Sequence, residues 1–140
     1  MTSEDDRQVL IPDELRAQLL ANGLAKTDSV PVLKLFNPAG AATWLISEID
    51  PEDEDRLFGL CDLGMGEPEL GYVSLAEIRA LRPPFGLRIE RDEVFQGRLP
   101  LTVWADIARD CGSIGEAEDY VAGLPPSAFG PLPDVVPPDA

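Results

Sequence analysis

Residues 41–74 read AATWLISEIDPEDEDRLFGLCDLGMGEPELGYVS, and the fold turns on how this stretch is read. Two apolar, strand-like runs, Thr43 to Ile49 and Leu57 to Leu63, flank a block of carboxylates. Side chains alternate along a strand. A hairpin around residues 50–55 therefore places Trp44, Ile46, Leu57 and Cys61 on one face, and Leu45, Phe58 and Leu60 on the other. Apolar side chains on both faces put this pair in the middle of a sheet that is covered on both sides. Gly59, inside the second run, leaves room for a bulky cross-strand neighbour.

Working outward, Ile11-Pro12-Asp13 opens a helix with Leu15, Leu19 and Leu20 on one stripe, and Asn22-Gly23 supplies its expected stop. Val32 to Phe36 is a strand, and Asn37 to Gly40 turns it into the next. On the other side Leu70 to Val73 is a short strand. Ser74-Leu75-Ala76-Glu77 has the spacing of a capping box, followed by a buried stripe of Leu75, Ile78 and Leu81 that ends before Pro83-Pro84. Leu87 to Glu90 reads as an edge strand. Thr102 is the expected N-cap of a helix that turns Trp104, Ile107, Ala108 and Cys111 inward and ends at Gly112.

Beyond Gly112 there is no Lys or Arg, and Pro, Gly, Asp and Glu dominate. Residues 113–140 therefore read as an acidic, partly disordered tail, with Tyr120, Val121, Leu124 and Phe129 available to dock on the body. Residues 1–9 read as a flexible N-terminus and 10–112 as a single domain. The fold class is α+β, a mostly antiparallel sheet of four to five strands with about three helices packed on it.

The 140 residues suffice for one domain, and 44% hydrophobic residues support a core. The formal charge of −15 opposes nucleic-acid phosphates and anionic membranes, and it suits a basic protein surface. Histidine is absent, which removes Ser-His-Asp and Cys-His catalysis and His-ligated zinc. Cys61 and Cys111 lie far apart in apolar contexts and read as reduced packing residues. The acidic start MTSEDDR has no apolar stretch after it, and no apolar run approaches the ~20 residues of a membrane span. The expectation is a cytoplasmic protein with no membrane contact.

The segments LLANG (19–23), PVLKLFNP (31–38), ATWLISEIDPED (42–53) and LFGLCDLGMGEPELGYVSL (57–75) resemble a bacterial family known only as domain of unknown function 2958. The likeness covers roughly Leu10 to Gly112. It implies an accessory protein of plasmids, phages and integrated elements, and it brings no activity, cofactor or catalytic residue.

Among candidate sites the acidic loop stands first. An EF-hand counted from Asp50 needs Gly at its sixth position and Glu at its twelfth. These are Asp55 and Cys61, so no metal site is assigned. Gly64-Met65-Gly66 lacks the third glycine of a dinucleotide loop, since residue 69 is Glu, and no P-loop Lys follows; it reads as a tight turn. Trp44 and Trp104 read as core anchors. Arg79, Arg82, Arg88, Arg91 and Arg98 are expected to pair with surplus carboxylates, with a small anion-binding patch as the alternative.

The functional expectation is a non-enzymatic acidic interaction protein with no cofactor. Asp50, Glu52, Asp53, Glu54, Asp55, Glu67 and Glu69 would form the surface for a basic protein partner, in one version as a DNA-mimic decoy of a host defence or nucleic-acid-binding protein. Direct nucleic-acid binding is not expected. Two alternatives stay open: a small carboxylate- or metal-dependent hydrolytic enzyme using Asp62, Glu67 and Glu69, and a structural subunit of a larger assembly.

Overall fold

The computed structural model describes residues 9–129. In chain order its elements are α1 (Asp13–Ala25), β1 (Leu33–Phe36), β2 (Thr43–Asp50), β3 (Asp53–Asp62), β4 (Glu69–Ser74), α2 (Leu75–Ala80), β5 (Glu90–Arg91), α3 (Leu101–Cys111) and α4 (Ile114–Ala122). The described strands form one antiparallel sheet in the order β4-β3-β2-β1-β5, so the fold is α+β.

The β2–β3 hairpin is central, with Trp44 opposite Cys61, Leu45 opposite Leu60 and Ile46 opposite Gly59. The two faces divide as alternation predicts. Trp44, Ile46 and Leu57 pack with Leu19 of α1 and with Leu75 and Ile78 of α2. Leu45 and Leu60 pack with Trp104, Ala105 and Ala108 of α3 and with Ile114, Ala117 and Val121 of α4. The buried Trp104 indole donates to the Gly97 carbonyl at 2.6 Å, so the ring anchors the core without an orphan N–H. Gly59 is a packing residue: a Cβ there would lie 2.1 Å from the Leu45 carbonyl oxygen.

Simple alternation fails at one point. The register passes from Ile46–Gly59 directly to Glu48–Phe58, leaving Ser47 as the extra residue of a bulge. That one-residue shift brings Ile49 to the face that Ile46 already occupies, and both are fully buried there. The bulge is also where α1 docks. Asn22 Nδ2 donates to the Ser47 carbonyl at 2.9 Å, and a Cβ on Gly23 would lie 2.2 Å from the Ile49 carbonyl oxygen. Asn22-Gly23 therefore does not stop the helix. α1 runs on to Ala25, and Lys26 takes the left-handed conformation (φ 54°) that a C-terminal glycine would adopt more easily.

Other expectations need correcting. The hairpin turn is only Pro51-Glu52, because β2 reaches Asp50 and β3 starts at Asp53. Leu81 lies past the end of α2 and is exposed, so the buried stripe is Leu75 and Ile78. The strand expected at Leu87 to Glu90 is Glu90–Arg91, an edge strand on β1. Thr102 is not a cap. α3 begins at Leu101, and the carboxylate of Asp28 takes both the Thr102 amide (3.1 Å) and its hydroxyl.

The largest correction concerns the stretch after Gly112. Ser113 Oγ accepts from the Glu116 amide at 3.0 Å and starts α4, a fourth helix, whose Ile114, Ala117 and Val121 are buried in the second core. The folded unit thus continues past 112, because apolar residues at helical spacing outweigh an acidic, Gly-rich composition. Lys34 of β1 fastens α4 from the side, with Nζ at 2.8 Å from Glu118 and 3.6 Å from Asp92. The expectations for residues 1–8 and 130–140 lie outside the described residues. No described helix is long and apolar enough to cross a membrane.

Candidate functional site

The acidic residues expected to form one surface fall into two groups. Asp50, Glu52, Asp53, Glu54 and Asp55 cluster at the hairpin turn, where Asp50 stands opposite Asp53. Glu69 begins β4 opposite Cys61, and Glu67 precedes it in the loop. From Asp53 to Cys61 the strand runs roughly 26 Å, so neither group reaches the other.

Most of the turn carboxylates already have partners. Asp50 Oδ1 accepts the Glu52 amide at 2.9 Å, and its other oxygen lies 3.7 Å from Arg56. Asp53 accepts the Asp55 amide at 3.2 Å, and Glu54 pairs with Arg16 of α1 at 3.1 Å. Asp55 reaches across to the start of α2: the Ser74 hydroxyl donates to it at 2.5 Å and the Ala76 amide at 2.8 Å. These two hydrogen bonds, led by that from Ser74, hold the Asp55 carboxyl below the usual aspartate range. Ser74 Oγ in turn accepts the Glu77 amide at 3.1 Å, so α2 has the expected hydroxyl cap with Asp55 as a second capping group from the neighbouring strand. Glu52, Glu67 and Glu69 are exposed and form no ion pair among the described residues.

Asp62 is different. It is 2% exposed, Oδ1 accepts the Gly64 amide at 2.8 Å, and Oδ2 accepts the Ile114 amide at 2.9 Å. The side chain therefore ties the Gly64–Gly66 turn, whose glycines have φ of 86° and 81°, to the first residue of α4. Asp62, Glu67 and Glu69 do not converge on a common point as an acid–base pair would: both Asp62 oxygens are occupied by backbone, and both glutamates face solvent. Among the described residues no three His, Cys, Asp or Glu side chains are grouped to hold a metal ion. Cys61 and Cys111 are free thiols. Burial, with the Glu69 charge adding to it, pushes the Cys61 thiol up to about 11, away from nucleophilic use at neutral pH.

Three of the arginines that follow α2 bind the main chain. Arg82 donates to the carbonyls of Arg79 and Leu81, and Arg88 to that of Leu87. Arg91 donates to the carbonyls of Val9 and Leu10 and pairs with Glu93. Arg98 bonds Gln96 and stacks 4.9 Å over the Phe129 ring.

One feature has no counterpart among the sequence expectations. An open cleft of about 380 Å³ is lined by Trp44, Arg56, Tyr72, Val73, Ile78 and Leu81, with Ser74 and Glu77 at its polar end. The Arg56 guanidinium lies 4.1 Å over the Tyr72 ring, which also meets Phe58 at 5.0 Å. Its one sequence signal is a large apolar residue, Leu81, beyond the last turn of a short helix.

No curated protein and no solved structure matches this chain. The model of one family, described as a protein of unknown function (DUF2958), matches residues 10–115, from the residue before the first buried isoleucine through all five strands to the start of α4, and the chain belongs to that family.

Proposed function

We propose that this is a cytoplasmic, non-enzymatic binding protein that engages a basic protein partner through its carboxylates. The observation that carries the reading is the turn of the central hairpin. Five acids stand on six consecutive residues of a rigid sheet, with Arg16 and Arg56 as their ion-pair partners among the described residues, in a chain of net charge −15. Such an end draws in a cationic surface and repels phosphate. In the setting of a mobile element, the specific version is a decoy that occupies the DNA groove of a host defence protein. Duplex DNA carries one negative charge per about 1.7 Å, and closely spaced carboxylates can stand in for it.

The geometry also separates the acids available for binding from those the fold needs. Asp50 and Asp55 hold the turn and α2, whereas Glu52 is exposed and unpaired among the described residues, and the exposed Asp53 and Glu54 hold one partner each, the Asp55 amide and Arg16. The test is to capture a host protein on the full chain, identify it by mass spectrometry, and titrate it. The Kd is expected to weaken at least tenfold between 0.05 and 0.5 M salt, where the Debye length falls to about 4 Å. A similar loss is expected for Glu52→Gln/Asp53→Asn/Glu54→Gln. An affinity indifferent to both changes overturns the reading.

A further inference from the structure

The two acidic groups are far apart along β3, yet one neighbouring element joins them. Glu67 and Glu69 stand at the start of β4, and Asp55 and Glu77 gather around Ser74 at its end. β4 is the last strand on its side of the sheet and pairs only with β3. Every second residue of an edge strand turns its N–H and C=O outward, and no described backbone hydrogen bond from β4 runs to anything but β3.

The devices that normally block an edge are missing from the strand itself, LGYVS after Glu69, which has no Lys and no Pro. A Cβ added at Gly71 would meet nothing within 4 Å, and Tyr72 is 55% exposed. The cleft meets this edge at the end of β4: Tyr72, Val73 and Ser74 line it together with Trp44 of β2 and with Ile78 and Leu81 around α2.

We propose that β4 is the docking edge for the basic partner. An extended segment with a Lys or Arg at each end and apolar residues between them on the same face adds as a sixth strand, since Glu69, Val73 and α2 share one face of the sheet. Its apolar side chains enter the cleft of Trp44, Val73, Ile78 and Leu81, and its cations meet Glu67 and Glu69 at one end and Asp55 and Glu77 at the other. The six residues of β4 span about 20 Å, enough for a segment of equal length. Charge selects this occupant over a second copy of the chain. Antiparallel pairing of two β4 edges sets Glu69 of each copy beside Asp55 and Glu77 of the other, like charge against like. The inference rests on the basic-partner reading above and locates its contact.

The experiment uses the full chain, labelled with ¹⁵N, and a seven-residue peptide with lysine at each end, valine at its third and fifth positions and threonine between them. Amide exchange at Leu70–Ser74 is expected to slow at least tenfold on binding. N-methylating either the valines or the threonines, whichever set turns its amides to β4, should weaken the peptide at least tenfold, because strand addition needs those amides. Glu67→Lys/Glu69→Lys, at exposed positions, should weaken it at least fivefold, as should Leu81→Asp in the cleft. The same peptide with glutamate in place of both lysines should not bind. Binding that perturbs only residues 50–54 and ignores N-methylation overturns the β4 site while leaving the basic-partner reading intact. Unchanged exchange at Leu70–Ser74 with millimolar peptide overturns the site as well, and the host-capture titration then decides the wider reading separately.

Discussion

Asp55 and Asp62 lie on the same strand, seven residues apart, and each uses both oxygens: Asp55 for the start of α2, Asp62 for the turn at Gly64 and the start of α4. Asp55 does so in full solvent for α2, which directly follows β4. Asp62 does so at 2% exposure for α4, fifty-two residues further along the chain. The chemistry is the same and the surroundings differ. Water can replace the partners of Asp55 at little cost, whereas the buried amide of Ile114 has no other acceptor once Asp62 is removed.

The strongest way to break this contrast is Asp62→Ala, which leaves the buried Ile114 amide unpaired. It should destabilise the domain by about 3 kcal/mol in urea unfolding, with α4 losing amide protection first. A loss no larger than that of a surface substitution would show that α4 does not depend on the interior carboxylate. Next comes Lys34→Met, which cuts the second fastening of α4. A half-buried bidentate pair to Glu118 predicts a loss of about 1–2 kcal/mol, and additivity with Asp62→Ala would show two independent anchors.

Asp55→Ala should cost less than either, and its cost should depend on pH. The folded carboxyl is held below its ordinary value of 3.8, so the stability it contributes is present above that value and is lost as pH falls through the lower, folded one. Parent and variant should therefore converge in acid, below about pH 4, and differ at pH 7. A difference that does not shrink as pH falls below 3.8 would count against a charge-dependent cap. The smallest effect is a rate. Cys61, beside Asp62, has a thiol pushed up to about 11, so iodoacetamide labelling of the folded chain should be slow at pH 8 and quicken as pH approaches 11. Labelling at pH 8 as fast as that of a free thiol would mean that the far end of β3 opens readily.

Local patterns were readable where the physics is local. Alternation placed Trp44, Leu45, Leu60 and Leu57 on their correct faces because a pleated strand has a period of two. The Ser74 cap, the Gly64–Gly66 turn and the left-handed Gly112 follow from residue types within a few positions of each other. Asn22-Gly23 misled for an instructive reason. Their roles depend on the Ser47 bulge, which is distant in sequence and has no spacing signature. α4 was hidden by its composition, although Ile114, Ala117 and Val121 already carried a helical spacing.

For the candidate site, composition settled the sign of the charge and the absence of histidine chemistry, since both are sums over the chain and need no fold. Where that charge stands is a different matter. That Asp62 is buried, that the other candidate acids form two groups, and that an open strand edge joins those groups with a cleft at one end all depend on strand order. Strand order is set by pairing between residues far apart in sequence, such as Leu35 with Arg91, and the burial of Asp62 by its contact with Ile114; no linear spacing reveals either partner.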